Sequence, residues 1–479
     1  MEERREPGAG FRDGTPLPAG IRTLGNGALI VFLSDVHIGG DGGHDIFESP
    51  EELAGLLGGL AAHDGPVELV LAGDFFDLLQ IGEVPRGGNR ASATISRPEY
   101  RELFSALRSF AGGDGHRVVY LPGNHDAEVW WNRGIRDTLL GEGLVHEFAL
   151  SYAARFESAP GRIVYCEHGN AFDPANTITD YDDPLDTPFG EHIVTDVVRR
   201  IAPAGRLTRD LDLHDIGRVF PLATIPEWIA GRVFYDLLGR AVAYLFVPLL
   251  VGYAGYRVIA YLLAFAYDVP KSLSFWESYR TLPGLQTLFG EIAWDALLLV
   301  SVFVLFFFAI RRTATRTISS VAPRASAGRP GASGVGPSVA EIRDLLRADA
   351  HPPMRRELRG REIAVFVSGH THAPSLSLLP KEAGDDAVVV NSGCWLRQLH
   401  QVPAHLGGPP VFVPRFVQTH ARVYLDDSVV RAELWEHPKP APQRLRTTER
   451  LAVLGRLPAQ PAESTKPRIS MSGELARDR

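Results

Sequence analysis

The chain has 479 residues, 45% of them hydrophobic and 22% charged, with a formal net charge of −8. Such a length suits roughly two or three domains with a sizeable core, and the acidic balance offers no basic footprint for a nucleic-acid polymer. Only Cys166 and Cys394 are cysteines, which excludes a disulfide framework or zinc-knuckle spacing and fits a reducing compartment.

Residues 1–26 are charged, rich in Gly and Pro, and lack the apolar stretch of a secretory signal, so they are expected to be a disordered tail. From Leu29 short apolar, β-branched runs recur, and each ends in a polar cluster. The run 29–33 leads into Asp35 and His37, and 69–72 into Gly73, Asp74 and Asp77. The run 118–121 leads into Gly123, Asn124, His125 and Asp126, 163–166 into His168 and Gly169, and 363–367 into Gly369, His370, Thr371 and His372. Unbroken apolar runs of this length suit strands buried on both faces. Helical patterns over 50–62 and 98–111 lie between them, which predicts a layered α/β fold. Ligands in such folds gather beyond the carboxyl ends of strands, where all five polar clusters fall.

The middle of the chain differs. Residues 241–267 are apolar apart from Arg257 and are interrupted by Pro248; residues 292–310 carry only Asp295. A membrane helix needs about 20 mostly apolar residues, so both segments are candidates, and buried or surface-lying cap helices are the alternative. Residues 319–337 read as a flexible linker rich in Ser, Ala, Gly and Pro, and Ser338 to Glu341 as a capping box opening a helix. The polar, proline-rich stretch 437–479 is expected to be mostly disordered.

One cluster of this kind means little, since Asp-x-His is common by chance. The ordered set of Asp35-x-His37, Gly73-Asp74-x-x-Asp77, Gly123-Asn124-His125-Asp126, His168-Gly169 and Gly369-His370-Thr371-His372 resembles the calcineurin-like metallophosphoesterase family over about residues 29–175 and 362–395. The resemblance implies an α/β (α+β) layered fold, a β-sandwich of mixed sheets flanked by helices, with metal ligands on the loops after the strands. The domain would then comprise 27–195 and 338–436, split by a helical insertion over 196–318.

The chemistry accounts for the residue types. Two hard or borderline cations need oxygen and imidazole ligands, and roughly 3.5–4 Å apart they can clamp both ends of a displacement at phosphorus. The resemblance assigns Asp74 as the bridging carboxylate, Asp35, His37 and His372 to the first metal, and Asn124, His168 and His370 to the second. Manganese is preferred on resemblance; iron, zinc and magnesium are compatible with the donors. His125 becomes the candidate general acid or phosphoryl stabiliser, Asp126 the group that orients or charges it, and a metal-bound hydroxide the nucleophile. Asp77 is open between a water or substrate contact and a helix cap. Asp173, Asp180, Asp182 and Asp183 read as an acidic solvated loop rather than a third metal site, and Cys394 as a buried small hydrophobe. Residues 80–100, with Arg86, Arg90 and Arg97, are either a phosphate-gripping lid or an exposed loop.

Ligands lie on both sides of the apolar segments, so any bilayer crossings must be even in number. Arg232 and Arg240 flank the first segment, Arg311, Arg312 and Arg316 follow the second, and residues 268–291 between them carry two basic and three acidic residues. The positive-inside rule then places the catalytic domain in the cytoplasm, held by a helical hairpin in the inner or plasma membrane. The expected reaction is hydrolysis of a phosphodiester or pyrophosphate in a small or lipid-linked substrate. The Phe75, Phe76, Asp77 and Phe172, Asp173 stretches are similar to the UDP-2,3-diacylglucosamine pyrophosphohydrolase branch, although that branch carries Arg where His125 stands and lacks the apolar insertion. A catalytically inactive metal-binding membrane scaffold is the alternative of another class.

Overall fold

The computed structural model describes residues 20–40, 45–192, 213–253, 363–379 and 387–475, apart from a few positions within them, and scattered positions between 255 and 358. Two sheets form the frame. The larger is built on three parallel strands, β2 (Leu29–Leu33), β3 (Val67–Ala72) and β4 (His116–Leu121), and the smaller on β7 (Ala159–Cys166), β9 (Ile363–Ser368) and β11 (Ala387–Asn391), also mutually parallel.

Strand alternation explains why these runs lack polar residues. Successive side chains point to opposite faces, and here both faces are covered. Ile30 and Phe32, Val70 and Ala72, and Val119 and Leu121 join Val164, Cys166, Val365, Val367, Val388 and Val390 in the core between the sheets. Val31 and Leu33, Leu69 and Leu71, and Val118 and Tyr120 face the other way. They pack against Leu53 and Leu57 of helix Pro50–Ala61 and against Leu103, Phe104 and Leu107 of helix Arg101–Ala111. Fully burying one such side chain is worth about 1.5–3 kcal/mol.

Antiparallel strands complete both sheets, so they are mixed. β6 (Tyr152–Phe156) pairs β7, and β10 (Ser375–Leu379) pairs β11. On the larger sheet β13 (Val411–Asp426) lies between β2 and β14 (Val429–Glu436), and β12 (Trp395–Val402) pairs the first half of β13. The fold is thus mixed α/β, two facing sheets with helices outside them, as expected.

Several expected boundaries move. Residues 22–24, placed in the N-terminal tail, form β1 (Arg22–Leu24) against β6, and the Arg22 guanidinium pairs with Glu147. The C-terminal stretch expected to be mostly disordered supplies helix Thr447–Ala452 and β15 (Arg468–Leu475), which pairs β14 over most of its length. Its polar, proline-rich composition hid a strand whose outward face is exposed and whose Leu475 is buried.

The insertion expected from residue 196 begins as part of the globule. β8 (Val219–Phe220) pairs β12, and Arg218 and Arg397 share Glu48 and Asp215. Helix Ile225–Ala241 buries Trp228, Phe234 and Tyr235 against β12, β13 and helix Thr447–Ala452, with Arg232 on Glu449. It then runs through a π-turn, Val242–Phe246, to Tyr253. Tyr244, Val247, Leu249, Leu250 and Val251 along it are exposed, and only 13% of its most apolar window is buried. A soluble core helix would be covered. This is the one helix among the described residues long and apolar enough to cross a bilayer. It starts at Ile225 rather than at 241, because its first turns are amphipathic and dock on the sheet. Most of 254–310, the linker 319–337 and the helix expected after Ser338 lie outside the described residues.

Candidate metal centre

Five chain turns meet where the carboxyl ends of β2, β3, β4, β7 and β9 come together, at one edge shared by both sheets. All seven residues assigned as ligands are there. His372 Nε2 lies 3.2 Å from Asp35 Oδ1 and 3.2 Å from His37 Nε2. His37 Nε2 is 3.8 Å from Asp74 Oδ2, and His168 Nε2 is 3.2 Å from the same oxygen and 3.3 Å from Asn124 Oδ1. Three groups with metal-holding spacing result: Asp35 with His37 and His372, His37 with Asp74 and His125, and Asp74 with His168 and His370. Asp74 belongs to two of them, the position a bridging carboxylate requires.

The backbone is bent to reach this arrangement. Of the eight non-glycine residues with positive φ among the described residues, five are Asp35, His37, Asp74, His370 and His372, with φ between 52° and 65°. The left-handed region costs an L-residue roughly 1–2 kcal/mol, and such conformers persist where the surroundings over-determine them. Hydrogen bonds hold them here. His37 N donates to Asp74 O, His370 N to Asp35 Oδ2, and His125 N to Asp74 Oδ1. The glycines of the motifs clear space for the ligands themselves rather than for phosphate. A Cβ on Gly123 would stand 2.2 Å from Asp74 Oδ1, and one on Gly369 would stand 2.3 Å from Asp35 Oδ2.

The donor set fits divalent cations. Asp35, His37, Asp74 and His168 are almost fully buried, and Asp35 Oδ1 and His37 Nδ1 have no hydrogen-bond partner. Carboxylates and imidazole nitrogens face one another at little more than 3 Å, an arrangement that is unfavourable unless protons or cations sit between them. The titration behaviour agrees. Burial alone would lower the His168 pKa, but the Asp74 carboxylate overrides it and raises the group to about 10. Burial, reinforced by His125, takes His37 down to about 4. Asp74 stays well below the carboxylate range because His168 and His125 outweigh the desolvation that would raise it.

His125 and Asp126 separate in role. His125 Nδ1 is 3.0 Å from Asp77 Oδ1, so Asp77 holds His125 and does not cap the next helix through its side chain. Burial would lower the His125 pKa, but Asp77 and then Asp74 raise it to about 9. The Asp126 carboxylate, expected to orient or charge His125, makes no hydrogen bond to it and acts on it through charge alone, adding to the groups that raise its pKa. It turns inward, fully buried, and accepts from Gly123 N at 2.6 Å, Phe75 N at 2.9 Å, Tyr120 Oη at 2.5 Å, and Asp74 N and Phe76 N at 3.3 Å. It ties the Asp74 and Asn124 loops together.

The acidic loop after His168 also sorts itself. Asp180 accepts from Asp182 N, Asp183 from Leu185 N, and Asp182 from the Trp130 indole, which are turn and packing roles. Asp173 is different: its Oδ2 is 3.2 Å from His370 Nε2. Its sequence signal, a carboxylate five residues after His168, was indistinguishable from its acidic neighbours. The described residues between 82 and 88 are an exposed loop, as one alternative had it, whereas 89–100 are folded against the domain. Asn89 caps helix Arg90–Ile95 in a capping box, Arg90 pairs with Glu128 at 2.7 Å, and Arg97 donates to Gly40 O.

A cleft open to solvent adjoins the centre, with Asn124 and His125 among its lining residues. Trp131 and Tyr181 contribute to its wall, with Glu128, Asp183, Asp186 and Glu191 against the basic Arg90 and His125.

Comparison with known families agrees with this geometry. Residues 28–215 match the family model described as calcineurin-like phosphoesterase. The span runs from before Asp35 through His168; His370 and His372 lie beyond it and reach the centre through β9. No curated protein matches the chain in sequence. Residues 28–215 are thus similar to a calcineurin-like phosphoesterase domain, and the Asp and His groups of the centre could hold metal ions.

Proposed function

We propose that this chain is a dinuclear metal-dependent phosphoesterase that hydrolyses a phosphodiester or pyrophosphate bond at a membrane surface. The observation that supports it best is Asp74, one buried carboxylate shared by the His37 and the His168 groups. Asp35, His37 and His372 would hold one cation, and Asn124, His168 and His370 the other. Bound there, two cations supply electrophilic stabilisation of the phosphoryl oxygens and an activated water. The protein's own part is proton handling and placement. Asp77 keeps the His125 ring oriented, with its other nitrogen available to a leaving oxygen; general-acid help of this kind contributes about 10²–10⁴-fold.

The cleft supports the phosphodiester reading over the nucleotide–lipid pyrophosphohydrolase alternative. A departing nucleoside phosphate is dianionic, and the four acidic side chains of the cleft outnumber Arg90 and His125. Like charges brought together in a partly desolvated site are unfavourable. A neutral or cationic leaving alcohol suits this lining better. Helix Ile225–Tyr253, anchored on the domain at one end and exposed and apolar at the other, supports attachment to a bilayer. Our reading of the whole is a cytoplasmic catalytic domain held by a helical hairpin of 225–253 and the apolar segment 292–310. Protease digestion of the catalytic domain from outside sealed cells would rule that orientation out.

The test of activity is hydrolysis of bis(p-nitrophenyl) phosphate by the detergent-solubilised full chain with added manganese. Activity in the wild type and its loss in Asp74→Ala is the expected result. Equal activity in that variant would refute the assignment, and no activity in either would favour the metal-binding scaffold.

A further inference from the structure

Resting on the dinuclear reading, we infer that Asp173 is a positioning residue of the second metal site, the carboxylate that fixes the ring of His370. The ligand His370 stands on a backbone with φ of 65°, and its imidazole must be turned toward Asp74 and His168 to take part in their group. Asp173 Oδ2 lies 3.2 Å from His370 Nε2. With Nε2 donating to that carboxylate, Nδ1 is the nitrogen left with a lone pair for a cation. Ligating histidines almost always give their second nitrogen to such a partner, which selects the tautomer and raises ligand basicity.

Asp173 is itself held in place. Its Oδ1 accepts from Ala175 N at 3.0 Å and its Oδ2 from Asn176 Nδ2 at 2.7 Å, while its backbone carbonyl accepts from Thr177 Oγ1 at 2.8 Å. Asn170 closes the turn, donating to Asn176 O and accepting from Tyr181 Oη. A loop built in this way around one carboxylate, and aimed at a ligand, differs from the solvated acidic run around Asp180 and Asp183. Asp173 also lies outside the three metal-holding groups, which places it behind His370 rather than beside Asp74.

The test is manganese binding to the metal-free, detergent-solubilised full chain, followed by calorimetry and by the electron-spin signal of a coupled manganese pair. The wild type is expected to bind two ions and give the coupled signal. Asp173→Asn keeps one acceptor oxygen, which can still take the Ala175 amide, but loses the charge and the second oxygen that face His370. It should bind one ion normally and the second about 10–100-fold more weakly, with the coupled signal lost at limiting manganese. Thr177→Ala, which loosens the same turn without touching the carboxylate, should bind both ions as the wild type does. Unchanged affinity in Asp173→Asn, or an equal loss in Thr177→Ala, would overturn the inference while leaving the dinuclear centre standing. A wild type that binds no pair of ions would refute the dinuclear reading itself.

Discussion

Replacing Asp126 with Ala separates a residue that organises the site from one that performs chemistry. The carboxylate is wholly buried and accepts from four backbone amides and the Tyr120 hydroxyl. Two of the amide contacts, at 3.3 Å, are weak; Gly123 N, Phe75 N and Tyr120 Oη make the close ones. Leaving a buried donor without an acceptor costs about 1–3 kcal/mol. Three such donors give roughly 3–6 kcal/mol after partial relaxation and entry of water. Against a urea slope of about 3 kcal/mol per molar, the midpoint of the metal-free protein should fall by roughly 1–2 M. Urea unfolding of wild type and Asp126→Ala in chelator, followed by tryptophan fluorescence, reads this directly. A midpoint unchanged within about 0.3 M, together with a large loss of turnover, would show that Asp126 serves His125 after all.

Other expectations follow from the same geometry. Asp77→Asn removes the charge that holds His125 at 3.0 Å; kcat should fall by about 10²-fold or more with KM little changed, and steady-state kinetics on the diester will show whether it does. Gly123→Ala puts a Cβ 2.2 Å from Asp74 Oδ1, so the protein should fold yet retain less than half of its bound metal after dialysis, measured by elemental analysis. Burial first, then Arg415 for His400 and Arg422 for His437, lowers both histidines to about 4. Unfolded histidines titrate near 6.5, so above that pH both states are neutral and the stability is fully present. As pH falls from about 6.5 toward 4 the unfolded chain binds protons first and stability is lost, on the order of 2 kcal/mol per histidine by pH 5. His437→Gln should therefore lose less stability than wild type between pH 7 and pH 5 in chelator; identical losses would contradict the burial argument.

The strands and the metal ligands were legible because two strong constraints act locally on them. Strands covered on both faces need unbroken apolar runs, as in 29–33 and 69–72, and a cation pair needs Asp, Asn and His at their ends. Residues whose partners are distant in sequence were not legible. Asp126 and Asp77 are neighbours of His125 and Asp74 in two similar motifs, and nothing in either motif says which carboxylate faces the imidazole. That is decided by the turn after β4, which points Asp126 under the loop at Gly123 N and leaves Asp77 beside the ring. Asp173 was hidden among acidic neighbours for the same reason. β15 escaped because its polar residues lie on an exposed edge strand, held by pairing with β14 and by contact with β10 and β11 of the facing sheet. The start of the long apolar helix was misplaced because Trp228, Phe234 and Tyr235 are spaced as an amphipathic helix, whose docking on β13 is a tertiary fact.

Crystals of the protein soaked in manganese and measured at the manganese absorption edge give the most direct test of the shared-carboxylate centre. The arrangement predicts two anomalous peaks about 3.5–4 Å apart, one on either side of the Asp74 carboxylate, the first among Asp35, His37 and His372 and the second among Asn124, His168 and His370. A single peak, or peaks that do not flank Asp74, would contradict it.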